Sequence, residues 1–525
     1  RMGDAARGQS VQRALAASSA RAATRDPKLA ELARTEQDAQ KQIGAQFALL
    51  NSILASPPEQ QDSGTVRNLR RSIDRLRDER AKARERIERE FPNYAQLVDP
   101  RPATLVDARR SLRQGEALIA TFVGRDHTFV WAIPHEGVPA FNVIAVGSGK
   151  IARTVEHLRR ALDPNAASLE EVPAFDVAAA YQLFAELLLP VEAGWKGAGS
   201  LLVVADRQLG QLPFGLMVTE PATVAAGGPL FAGYRNVPFL IRKAAITQVP
   251  SVAALAALRA LPAPTANRLP FIGFGDPWFS REQAGEARAQ QAALQTRGRP
   301  LVRRSAPATR SVDTAELGLL PRLPDTADEV RSIAMALRAD PVRDVILGAQ
   351  ANEQSVRTAD LANRRIVMFA THGLIPGDLN GLSQPALALS APNVADVDGD
   401  GLLTMDEILE LKLDADWVVL SACNTAAGDG AGAEAVSGLG RAFFYAGTRA
   451  LLVSNWPVET TSARLLTTDL FARQSADPAL PRAVAMQQAM LGLIDGPGVE
   501  EGGKTVFSYA HPIFWAPFSV VGDGG

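Results

Sequence analysis

A chain of 525 residues is too long for a single hydrophobic core, so two or three domains are expected. Apolar content of 46% and charged content of 21% are those of an ordinary globular protein, and a net charge of −2 supplies no electrostatic reason for nucleic acid or an anionic membrane as partner. No uninterrupted apolar run approaches the roughly 18 residues of a membrane-spanning helix. The chain opens on Arg1 with no signal-peptide pattern and reads as part of something longer, its compartment unspecified and the cytoplasm favoured.

Residues 1–100 read as helix. Leu29, Leu32, Ile43, Phe47, Leu50 and Ile53 recur at mostly three- and four-residue steps. Pro57 and Pro58 break the pattern, and Val66, Leu69, Ile73, Leu76 and Ile87 resume it among alternating charges. The simplest product is an antiparallel helical hairpin, a spacer or packing arm without chemistry.

From Arg101 strands alternate with helices, which predicts largely parallel sheets covered by helices. The stretch 101–262 holds a hairpin (EALIATFVG, HTFVWAIP), a short strand FNVIAVG, two amphipathic helices and the strand SLLVVAD. The stretch 263–525 opens with LPFIGFGD, passes through a long polar segment from Ser280 to Glu316 and a helix TADEVRSIAMAL, and continues with the strands IVMFAT, PALALS, WVVLSA and RALLVSN.

Two of those strands end in reactive side chains. RIVMFATHG breaks at His372 and WVVLSACNT at Cys423, the single cysteine. One cysteine excludes an intrachain disulfide, and a lone free cysteine is ordinarily a small buried hydrophobe. Its place at a strand end argues otherwise, because function in open parallel sheets collects beyond the carboxyl ends of strands. The offset of 51 positions (423 − 372) also matches the spacing by which a caspase-type histidine precedes its cysteine. The reading is a cysteine peptidase, with the backbone N–H groups of Gly373 and Cys423 as oxyanion donors. His127, His135 and His157 are expected to be solvated or structural, and His511, among aromatics, to be packing.

The segment DVDGDGLLTMDE fits a calcium loop at every fixed position. Asp396, Asp398, Asp400 and Glu407 would supply side-chain oxygens, Leu402 its carbonyl and Thr404 a direct or water-bridged contact. The segment before it is the strand PALALS rather than a helix, so the pattern is not a whole EF-hand.

The ordered set THGLIPG, LSACNTAAG, GLGRAFFYAG, ALLVSNWPV and AHPIFWAPF resembles the CHAT domain, of the caspase–separase–gingipain group. The resemblance covers roughly Arg101 to the C-terminus. It implies two caspase-like α/β lobes, an inert one at 101–262 and an active one at 263–525, preceded by a helical hairpin that joins upstream helical repeats. It implies a cysteine endopeptidase with His372 and Cys423 as the dyad, His372 protonating the leaving amine, a polypeptide substrate, a protein activator or upstream helical region as partner, and no cofactor for the chemistry. By the same resemblance Ser421 lines the pocket for the residue preceding the cut, and its small neutral side chain offers no counter-charge to Arg or Lys. Ser454, Asn455 and Trp456 are further wall positions, and Asp429 and Glu434 follow the cysteine on a Gly-rich loop that could supply an acid. CHAT relatives also carry a DGLLT-like turn with no metal implied. The alternatives are a vestigial caspase-like scaffold and a different thiol enzyme on the same fold.

Overall fold

The computed structural model describes residues 27–54, 63–91, 103–164, 166, 168–292, 317–375, 378–379, 382, 384–421 and 438–525. Cys423, Asp429 and Glu434 lie outside these residues. The chain divides into two compact units, with the boundary between Arg101 and Pro102.

The first unit holds the helices Pro27–Leu54 and Ser63–Glu90. Leu29, Leu32, Leu50, Ile73, Leu76 and Ile87 are buried, as the three- and four-residue steps require of one apolar stripe. Lys28 at the start of one helix pairs with Glu90 at the end of the other at 2.7 Å, and Glu36 pairs with Arg80 at 2.6 Å, so the two run antiparallel.

The second unit is built on one sheet of eleven strands in the order β3-β2-β1-β4-β5-β16-β13-β12-β8-β6-β7. Its strands are β1 (Glu116–Val123), β2 (Thr128–Pro134), β3 (Ala140–Ile144), β4 (Ser200–Val204), β5 (Ala245–Gln248), β6 (Leu269–Gly275), β7 (Val345–Leu347), β8 (Arg364–Ala370), β12 (Trp417–Leu420), β13 (Ala450–Ser454) and β16 (Phe518–Gly522). A side sheet joins β9 (Gly373–Leu374), β10 (Ala386–Ala388) and β11 (Leu402–Thr404), and β14 (Val499–Glu501) pairs with β15 (Lys504–Phe507). The strand read at PALALS therefore lies in the side sheet.

Strands β1, β4, β5 and β16 run parallel to one another, as do β13, β12, β8, β6 and β7. The blocks meet at β16 and β13, which are antiparallel. The two expected lobes thus share a continuous sheet, and the C-terminal strand is the seam. The hairpin β1–β2 and the strand β3 fall where the alternating pattern put them.

Alternation along each strand sorts side chains between the two faces. Ile366, Met368, Trp417 and Val419 join one buried cluster with Val330 and Ile333 of the helix Asp325–Ala336 and Leu466, Leu470 and Phe471 of the helix Thr460–Ala476. Phe369 faces the other way, stacked on Phe274 at 5.4 Å and tilted against Phe443 of the helix Gly438–Ala446 at 5.6 Å. Gly273 lets the helix Asp325–Ala336 lie close on β6, since a Cβ there would be 2.7 Å from Val330. Among the described residues no helix is long and apolar enough to cross a membrane.

Candidate active site

Strands β8 and β12 are neighbours and parallel, with Phe369 in register with Leu420. The N–H of Ser421 donates to the carbonyl of Phe369 at 3.0 Å, which carries the pairing one residue further. His372 follows β8 after Thr371 and Cys423 lies two positions after Ser421, so the two stretches singled out in the sequence leave the sheet side by side at the same edge.

His372 is held at its backbone and at its ring. The N–H of Ala388 donates to its carbonyl at 2.9 Å, and the hydroxyl of Thr371 donates to the carbonyl of Ala388. Gly373 pairs with Leu387 in the side sheet. The imidazole has no solvent exposure and lies tilted against Phe279, 5.6 Å between ring centres. Its Nε2 is 2.7 Å from the carbonyl oxygen of Pro321. A carbonyl only accepts, so Nε2 carries a hydrogen; when the ring is neutral its lone pair is then on Nδ1.

The turn that presents Pro321 is itself anchored. Gln283 donates to the carbonyl of Leu320 at 2.7 Å and accepts from the N–H of Phe279 at 2.9 Å. Arg322 grips the carboxylate of Asp276, the residue after β6, with bonds of 2.8 and 2.6 Å. Burial pushes the Asp276 carboxyl above the usual carboxylate range, against the pull of Arg322.

Ser421 has no exposure, and its hydroxyl lies 3.0 Å from both oxygens of Glu329, a buried carboxylate that also meets the hydroxyl of Thr467 at 3.4 Å. Ser454, Asn455 and Trp456 are 1%, 2% and 0% exposed. Asn455 donates through Nδ2 to the carbonyl of Pro517 and the hydroxyl of Ser519, 2.9 Å each, which ties the end of β13 to the start of β16. Arg159 reaches over from the other block to the carbonyl of Asn455 at 3.2 Å and lies over the Trp456 ring at 5.9 Å. Burial lowers the pKa of that guanidinium.

The calcium pattern does not gather as a cation site. Glu407 accepts from the N–H and hydroxyl of Thr404, 2.8 Å each, as the capping box of the helix Met405–Glu410, and also pairs with Arg357. Asp400 accepts from the N–H of Leu402 at 2.9 Å. Asp396 sits in the left-handed region at φ 55°, ending the helix Pro392–Ala395. The organising group is Glu353, which accepts from the N–H of Asp400 at 2.8 Å and of Gly401 at 2.7 Å. Among the described residues no three His, Cys, Asp or Glu side chains come together as a metal-ligand group, and the carboxylates of Asp400 and Glu407 are engaged by backbone N–H groups and Arg357.

Pro321, Glu329 and the Asp276–Arg322 pair carry no local sequence signature. Pro321 acts through its backbone, and the partners of the others lie 46 and 92 residues away. Only the position of Asp276, at the carboxyl end of a parallel strand, carried a signal. Of the other histidines, His157 is an exposed partner of Asp176 at 2.8 Å, and His511 is fully buried against Phe231 and Tyr234.

The CHAT domain matches residues 177–523. The chain belongs to the CHAT-domain family. No curated relative matches its sequence. Among solved structures it is similar to the Saccharomyces cerevisiae separase–securin complex, with 9% identity, a TM-score of 0.40, and coverage of 91% of this chain and 37% of that one. It is also similar to the Arg-specific cysteine proteinase gingipain R, with 11% identity, a TM-score of 0.34, and coverage of 72% and 74%. A complex of Porphyromonas gingivalis RgpB pro- and mature domains matches at 10% identity and a TM-score of 0.34, covering 72% and 76%. The large, mostly parallel sheet with flanking helices is the α/β architecture expected from the motifs, and the chain spans 37% of the separase chain.

Proposed function

We propose that this CHAT protein is a cysteine endopeptidase in which His372 and Cys423 form the dyad. The observation that carries the reading is the parallel pairing of β8 with β12, which ends both motif-bearing strands at one edge of the sheet. The contact of His372 Nε2 with the carbonyl of Pro321 adds to it, because a neutral ring that donates there has Nδ1 as its basic nitrogen.

The Cys423 thiol gives its proton to Nδ1, and the sulfur attacks the carbonyl carbon of the scissile peptide. The N–H groups of Gly373 and Cys423 bind the oxyanion. Collapse of that intermediate breaks the C–N bond, the imidazolium returns its proton to the leaving amine, and a thioester remains. Water, activated by the same nitrogen, hydrolyses the thioester and regenerates the thiol. In this reading Ser421, Ser454, Asn455 and Trp456 shape the wall of the substrate pocket, and Asp429 and Glu434 rim it. The helical unit serves an upstream region or a protein activator. No step is routed through calcium.

The test is a peptide-type electrophile with mass-spectrometric mapping, run beside an unbiased peptide-cleavage assay. Wild type is expected to be labelled at Cys423 and to cleave. His372→Ala and Cys423→Ala are expected to be folded and inactive, with the cysteine variant unlabelled. A wild type that neither labels nor cleaves, with and without its natural partner, means a scaffold.

A further inference from the structure

We propose that Asp276 and Arg322 are a positioning pair that sets the orientation and tautomer of His372 through the carbonyl of Pro321. The catalytic consequence rests on the peptidase reading; the geometry itself does not.

Asp276 is a non-glycine residue at φ 47°, a left-handed conformation that a β-carbon disfavours and that surrounding structure must hold in place. It is 5% exposed. Three bonds fix it: its N–H donates to the hydroxyl of Thr326 at 2.7 Å, and its two carboxylate oxygens accept from Nε and a terminal nitrogen of Arg322 at 2.8 and 2.6 Å. A two-pronged bond between planar groups restrains direction as well as distance.

The oxygen that meets His372 belongs to the peptide unit linking Pro321 to Arg322. Holding the Arg322 side chain therefore restrains that peptide plane from its C-terminal side. Gln283 restrains the preceding peptide through the carbonyl of Leu320. The ring of Phe279, whose N–H the same Gln283 receives, closes on the imidazole. Each support runs from the end of β6 or the residues after it to one acceptor, and that acceptor decides which imidazole nitrogen carries hydrogen. A buried ion pair is a poor source of net stability, whereas a directed acceptor for a histidine uses the rigidity that the pair provides.

The test uses the full chain with isotope-labelled histidine, whose ring nitrogen and carbon shifts report the tautomer. His372→Gln assigns the resonance among the five histidines. Wild type is expected to show a single Nε2–H form. Asp276→Asn and Arg322→Gln are expected to show both tautomers, with kcat reduced on the order of 100-fold and KM within about twofold, as for misplaced catalytic groups. Arg322→Lys, which keeps the charge without the fork, is expected to fall between. Arg365→Gln breaks a 3.1 Å pair with Asp416 at the start of β8, the strand that leads to His372, and is expected to leave the His372 signal unchanged. An unchanged tautomer in folded Asp276→Asn and Arg322→Gln overturns the proposal. Should those two fail to fold, a wild-type signal in Arg322→Lys overturns it equally. A wild type that shows the single tautomer but cleaves nothing sinks the peptidase reading and leaves the positioning pair standing.

Discussion

The hydroxyl of Ser421 lies 3.0 Å from each carboxylate oxygen of Glu329, and neither side chain has any solvent exposure. Ser421 directly follows β12 and Glu329 belongs to the helix Asp325–Ala336, so this contact pins the end of the strand leading toward Cys423 to that helix. Glu329→Ala removes the acceptor and opens a void. It is expected to destabilise by about 2–4 kcal/mol. Glu329→Gln keeps an oxygen acceptor of the same shape and is expected to cost under about 1 kcal/mol. Urea unfolding of the two variants reads the difference, and labelling of Cys423 by a small electrophile reads the effect on the strand end. Equal losses in both variants would show that the full carboxylate, with both of its acceptor oxygens, and not the filled volume, matters at this position.

At the loop spanning Asp396 to Glu407, the charge that a calcium ion would bring is brought by Arg357, which pairs with Glu353 at 2.9 Å and with Glu407. Burial, reinforced by the charges of Asp400 and Glu407, raises the pKa of Glu353 despite the two backbone N–H groups it accepts. Millimolar calcium is therefore expected to give no heat in calorimetry and no change in Tm. Glu353→Ala strands the N–H groups of Asp400 and Gly401 and is expected to cost about 2–3 kcal/mol. Gly399→Ala is expected to damage the loop too, because at φ 139° a Cβ would come within 2.2 Å of the Glu353 carboxylate. A calcium-dependent rise in Tm that Asp398→Asn abolishes would overturn this account.

Much of this architecture was legible because it is local. Apolar alternation, strand–helix order and the break into His372 and Cys423 are properties of short windows, and β8 and β12 lie side by side as those windows implied. What escaped was long-range. The calcium pattern matched at every position, yet Glu353, far upstream of Asp400, occupies the loop, and no local pattern contains that fact. The segment FSVVG, which begins at the last residue of the motif AHPIFWAPF, forms β16 and welds the two strand blocks, a role set by partners far away in sequence. Pro321 escaped for a simpler reason: its contribution is a main-chain oxygen, which every residue type has.

The seam at β16 is closed by charge. Asp523 accepts from Arg113 at 2.9 and 3.0 Å and from Arg259 at 3.0 Å, and Arg259 also grips Glu116 at the start of β1. Burial pushes the Asp523 carboxyl up, but Arg113 and Arg259 outweigh it and hold the pKa below the usual range. A carboxylate depressed in the folded state contributes stability above its unfolded pKa, near 3.9, and loses it as pH falls through the lower folded value. Asp523→Ala leaves Arg259 in a largely buried setting with one partner fewer. It is expected to cost about 3–5 kcal/mol at pH 7 and to flatten the acid limb of stability below about pH 4. Urea midpoints measured across pH for wild type and variant decide this, and a loss below about 1 kcal/mol would show that β16 is held by its strand pairing alone.

His511 makes a pH dependence of the same sign in a higher window. Its ring is fully buried, and burial lowers its pKa to about 3, against a lesser pull from the carbonyl of Pro173. The neutral ring caps the helix Pro512–Trp515, accepting through Nδ1 from the N–H of Ile513 at 3.2 Å, while Nε2 lies 3.2 Å from the carbonyl of Pro173. In the unfolded chain an imidazole takes up a proton near pH 6.5. Between that value and about 3 the unfolded state therefore binds one proton more than the folded state at this residue. Stability contributed by the neutral ring is complete above about pH 6.5 and falls as pH drops, by about 1.4 kcal/mol per unit. His511→Asn keeps a capping acceptor without a titrating group. The expected result is a stability profile between pH 6 and pH 4 that is shallower than wild type by about that slope, whatever the variant's offset at pH 7. The remaining histidines contribute equally to both proteins, so parallel profiles would mean that the His511 ring is protonated in the folded protein.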